Sequence, residues 1–208
     1  MIKALLLIIK PPWAWEHIFH ARRGVGFVLF IHLLPLLVLT GAANWYGLSH
    51  WGEMLREPQR VRLFTPGQAA VFEIAHLILS LGVVFIGTWL IKALGETFHG
   101  RHRFGQTFRV VAYGLSPLFL LRLTEVHPAV NPWLAWAIGI TLTIRVLYSG
   151  IPKIMEPDPP HAFGLFLMSS IFLLFITGLI RFITDWYLQG RFVRLQPFVD
   201  SLADKWPF

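Results

Sequence analysis

The chain has 208 residues, 55% hydrophobic and 14% charged, with a mean hydropathy of +0.60, which is too little polar surface for a soluble globule. Its formal charge of +7 sits in short clusters between apolar stretches rather than along one polar face, which argues against a nucleic-acid partner. Absence of cysteine excludes a disulfide framework and thiolate metal sites.

In chain order, Met1 to Lys10 is apolar but too short to span, and Lys10-Pro-Pro12 follows where a signal peptide would need small residues for cleavage. It reads as a retained interfacial helix, with Trp13 and Trp15 at headgroup level. A crossing helix needs ~20 apolar residues, and five windows qualify: 24–44, 69–92, 107–124, 132–151 and 163–185. The expected fold is therefore all-α, a polytopic membrane protein built as a bundle of five transmembrane helices with a short N-terminal interfacial helix. Its expected parts are 1–23 (interfacial segment), 24–188 (membrane domain) and 189–208 (tail).

Lys3, Lys10, Arg22 and Arg23 precede the first window, and Lys92, Arg101, Arg103 and Arg109 flank the turn between the second and third. Translocating such clusters is disfavoured, so both are expected in the cytoplasm, with the C-terminus on the opposite side. Arg56, Arg60, Arg62, Arg191, Arg194 and Lys205 run against this bias. Trp45, Trp51, Trp133, Trp136 and Trp186 cluster near the outer ends as an aromatic belt. Pro35 and Pro117 each remove a backbone hydrogen bond inside a span and are expected to kink it. An odd number of spans argues against two equal inverted halves.

Several motifs stand in a telling order: Lys10-Pro-Pro-Trp-Ala-Trp-Glu-His-Ile18, Phe104-Gly-Gln-Thr-Phe-Arg109, Tyr113-Gly-Leu-Ser-Pro117, a turn bounded by Pro128 and Pro132, and Tyr148-Ser-Gly150. In this order and spacing the chain resembles the Yip (Ypt-interacting protein) domain family of five-span membrane proteins. The resemblance implies a cytoplasmic N-terminus and an opposite-side C-terminus, and the compact form is similar to bacterial members, hence an inner-membrane location. Eukaryotic members carry a longer cytosolic N-terminal region used with small GTPase and coat partners. Only about 23 residues precede the first window here, so a trafficking role does not carry over.

Ionisable groups inside spans are costly and are therefore functional candidates. Glu73 and His76, three apart, share a helix face with Ser80 and Gly87; with His32 on the first span they form a candidate transition-metal or proton site. The competing reading is an inward hydrogen-bonding stripe between closely packed helices. A second group, His17, His20, Glu96, His99, His102 and His161, gathers at the cytoplasmic end; Glu96-x-x-His99-x-x-His102 has a spacing that could ligate zinc, copper or nickel, and the competing and favoured reading is loop histidines at the headgroup surface. Arg145 lies within the fourth window, with Glu96 as its expected partner, while Arg122 with Glu125 and Arg181 with Asp185 are spaced to pair within their own helices. Ser116 and Pro117 complete the intramembrane polar set.

Catalysis finds no support: Gly-x-Ser-x-Gly, His-Glu-x-x-His and phosphate-loop patterns are absent, and Ser116 has no histidine near it in sequence. The expected protein is a non-enzymatic adaptor, assembly factor or accessory subunit without a cofactor. Its partners are membrane lipids and other membrane proteins, met through Arg22, Arg23, Arg101 and Arg103, each worth ~1 kcal/mol at an anionic surface. The alternative is a small ion or metal channel or transporter using the Glu73/His76 stripe.

Overall fold

A computed structural model describes residues 2–55, 60–97 and 103–204, apart from the side chains of Ile2 and Arg60. Arg56, His99, Gly100, Arg101, His102 and Lys205 lie outside the described residues, and the readings that rest on them go no further.

The chain is helical almost throughout. After α1 (Ile2–Ile9) and α2 (Pro11–Ala21), the residues of α3 (Val25–Val28), a π turn (Leu29–Leu33) and α4 (Leu34–His50) form one rod, Val25–His50. A two-stranded antiparallel hairpin, β1 (Glu53–Leu55) with β2 (Arg60–Arg62), pairs Glu53 with Arg62. Then come α5 (Pro66–Thr97), α6 (Phe104–Gly114), α7 (Ser116–Leu121), a 3-10 turn (Arg122–Val126), α8 (Pro132–Met155), α9 (Pro159–Leu188) and α10 (Gln196–Ala203).

Among the described residues, four helices are long and apolar enough to cross a membrane: Val25–His50, Pro66–Thr97, Pro132–Met155 and Pro159–Leu188. The window expected at 107–124 is instead two short helices broken at Leu115 (φ −80°, ψ −5°), because Pro117 cannot supply the donor that would continue the first. This broken stretch forms the centre of the bundle, and every residue from Val110 to Phe119 is buried. Its ends lie at opposite ends of the bundle. Gly105 faces Val25, where the first rod begins, whereas Val126 lies against Gly47, near the rod's other end.

Pro35 acts similarly on the first rod. Its missing N–H and the clash of its ring with the Ile31 carbonyl coincide with the π turn at Leu29–Leu33.

The N-terminal segment forms two short helices with one face on the bundle. Pro11 and Pro12 open α2 rather than close α1, since the first turn of a helix tolerates residues without an N–H. Ala4 and Leu7 of α1 are fully buried, and Leu7, Ala14, Trp15 and Ile18 belong to the same apolar core as the long helices. α1 and α2 therefore pack one face against the long helices. At the other extremity, α10 is pinned to the start of α5 by Gln68 Nε2 donating to Asp200 Oδ1 at 2.7 Å. Gly67 there meets Ala203 so closely that an added Cβ would lie 2.9 Å from its carbonyl oxygen.

Candidate functional site

The sequence motifs converge on the break between α6 and α7. Trp15, expected at headgroup level, is fully buried, and its Nε1 donates to the Val146 carbonyl at 2.9 Å. Trp13, two residues earlier, is half exposed. The Trp15 ring fills the space beside Gly150, where a Cβ would overlap the indole and lie 2.8 Å from Nε1. The proline-tryptophan motif and the Tyr148-Ser-Gly150 motif are thus two halves of one contact. Trp15 meets the Tyr113 ring edge-on at 6.3 Å, and Tyr113 packs on His32 at 4.3 Å. Gly114 lets Leu147 approach to 2.6 Å of where its Cβ would be. Lys3 Nζ stands 6.0 Å from the Tyr113 ring centroid, at the limit of a cation–π contact.

His32 is the residue whose place the sequence conceals most. The π turn brings its Nε2 to 2.8 Å from Ser116 Oγ, across 84 positions of sequence. A serine and a histidine at that distance have the separation of a nucleophile and its base. Ser116 Oγ also lies 3.2 Å from the Ala112 carbonyl, which can accept its proton; in the tautomer protonated at Nε2, His32 then donates to the hydroxyl. The pair fastens the first rod to the broken helix and satisfies two polar groups that would otherwise be costly to bury.

Glu73, His76 and Ser80 are all buried on α5, as an inward stripe requires. Among the described residues, however, no group of three His, Cys, Asp or Glu side chains is placed to hold a metal. His32 is bound to Ser116. Both carboxylate oxygens of Glu73 accept from Arg122 Nη2 at 2.9 Å, so Glu73 is an ion-pair partner rather than a free ligand.

This ion pair corrects a second expectation. Arg122 does not pair with Glu125 three residues on, nor Arg181 with Asp185. Instead Arg122 reaches Glu73, Arg181 Nη1 reaches Glu125 Oε2 at 2.7 Å, and Asp185 Oδ2 accepts from Trp133 Nε1 at 3.2 Å. Buried charges need counter-charges that are buried with them, and those lie on neighbouring helices. The network joins α5, the 3-10 turn, α8 and α9 near the hairpin end. Sequence offered one signal for it: Glu73 and Arg122 lie at similar predicted depth.

At the opposite end, Glu96 accepts from Lys92 at 2.6 Å, one turn away on its own helix, rather than from Arg145. Arg145 is exposed on α8, where a long side chain can carry its charge toward the boundary. Glu16 bridges α2 to α8 through Lys153 at 2.5 Å and also meets His20 at 2.9 Å. The hydrogen bond from Lys153, then that from His20, holds its carboxyl below the usual range. His17 bonds the Trp13 carbonyl at 3.0 Å. Arg22 ends α2 in the left-handed conformation (φ 42°), Arg23 lies 4.5 Å over the Phe27 ring, and Arg103 caps the start of α6. All three arginines are exposed.

A family model described as the Yip1 domain matches residues 5–181. Comparison with curated proteins and with solved structures gives no match.

Proposed function

The chain belongs to the Yip1 domain family of membrane proteins, and from that premise we propose that it works by binding, as an adaptor, assembly factor or accessory subunit of a membrane complex. The observation that carries this reading is the gathering of exposed arginines at one end of the bundle. Val25, just after Arg22 and Arg23, packs beside Gly105, just after Arg103, so these arginines, some eighty positions apart in sequence, share one rim. Long exposed cations on a rigid rim suit acidic protein segments or anionic headgroups.

In this reading the basic rim faces the cytoplasm of a bacterial cell, and the chain crosses the inner membrane five times. The broken α6–α7 stretch serves as the fifth crossing, and its end-to-end course through the bundle supports that count. The interior then serves to hold the rim in shape. Buried aromatic packing and cross-helix ion pairs favour a fixed scaffold.

The test is co-purification from mild detergent extract, with and without Arg22→Glu, Arg23→Glu and Arg103→Glu together. The variant is expected to lose specific protein partners or anionic lipid while keeping its fold by circular dichroism. An unchanged set of co-purifying molecules would count against the basic rim as the binding surface.

A further inference from the structure

Where α10 turns back over the bundle it covers a deep apolar groove of about 380 Å³ between α5 and α9. Phe72 and Leu79 form one wall, Ile183 and Tyr187 another, and Leu195 and Leu202 the roof. On α5 the groove runs from Val71 to Leu79, about 12 Å at 1.5 Å per residue. That is close to the depth of one leaflet of a hydrocarbon core ~30 Å thick.

The roof is amphipathic and only partly used. Leu195 and Phe198 line the groove and yet remain exposed, Phe198 by 61%, while Val193 is exposed outside it. Arg191 and Arg194 flank Val193 and are exposed. A turn with apolar residues flanked by arginines, leading into a short helix, suits a headgroup layer, apolar side toward the acyl chains. Phe192 and Leu195 line the groove, so Arg191 and Arg194, adjacent to them in the chain, stand at this end of it, away from the Gln68–Asp200 hydrogen bond and the Gly67–Ala203 contact.

We propose that this groove is a binding site for one anionic phospholipid, an acyl chain between α5 and α9 under α10 and the phosphate at Arg191 and Arg194. Charge selects the headgroup and the groove selects the chain. The site lies at the opposite end of the bundle from the arginine rim of Arg22, Arg23 and Arg103, so its failure would leave the binding function untouched.

Native mass spectrometry of the full chain, released from micelles after addition of phosphatidylglycerol or phosphatidylcholine, reads this directly. One phosphatidylglycerol is expected to survive activation that strips phosphatidylcholine. Arg191→Gln with Arg194→Gln, both on exposed positions, should lower the retained fraction at least several-fold toward that of phosphatidylcholine. Ala75→Phe, which projects a ring into the groove from an exposed position, should abolish retention of either lipid. Equal retention of the two lipids, retention unchanged in either variant, or a second copy of the chain retained in place of lipid would overturn the proposal.

Discussion

The Trp15 indole donates to the Val146 carbonyl at 2.9 Å and lies where any side chain at Gly150 would have to go. The N-terminal segment and α8 are therefore locked by one aromatic ring and one missing Cβ. Gly150→Ala is expected to destabilise the protein by about 1–3 kcal/mol through overpacking. Trp15→Phe, which keeps most of the packing but loses the donor, should cost about 1 kcal/mol for the hydrogen bond plus the lost ring volume. Denaturant titration in mixed micelles measures both. Equal stability of Gly150→Ala and the parent would show that the indole is free to move aside.

Arg122→Ala leaves the Glu73 carboxylate buried without its counter-charge, and such losses run to about 3–5 kcal/mol. Replacing Glu73 and Arg122 together by methionine should cost less than either single change, since no charge is then left unpaired. A double-mutant cycle reports this as a coupling energy; simple additivity would mean that the two side chains do not depend on each other.

Ser116→Ala removes the acceptor of the His32 Nε2–H and should cost about 1–3 kcal/mol as an unsatisfied buried donor. With the Ser116 proton on the Ala112 carbonyl, a fluorophosphonate probe is expected to leave Ser116 unlabelled. Stoichiometric labelling would reverse the assigned polarity and reopen an acyl-transfer reading.

The Glu16–Lys153 bridge sets a pH dependence whose sign is fixed. Glu16 has its folded-state pKa lowered from 4.5, so the stabilisation it brings is complete above the ordinary carboxylate range and disappears as pH falls through the lowered value. Lys153→Gln should move the Glu16 titration back up, as followed by carboxyl carbon chemical shifts. A titration midpoint that stays put would show that the bridge is not populated in solution. Because the pair is exposed, salt should weaken it.

Much of this architecture was legible along the chain. The hydrophobic windows named the four long helices within a few residues, and Pro35 and Pro117 marked the π turn and the break. The order of the motifs indicated the family before any contact was known. The inward burial of Glu73, His76 and Ser80 followed from helical spacing alone. The partners did not follow. Spacing proposed Arg122 with Glu125, Arg181 with Asp185 and Glu96 with Arg145, and each of these pairings gave way to another partner or to none among the described residues.

Sequence by itself determined what each segment must do with its apolar surface, because hydropathy and backbone hydrogen bonding act locally: a long apolar run becomes a helix, and a proline interrupts it. Only the tertiary structure decided which buried groups meet. That choice depends on the relative rotation and depth of neighbouring helices, which set whether His32 finds Ser116 or Glu73. It also depends on close approaches, such as Trp15 over Gly150, that a missing Cβ permits but does not specify.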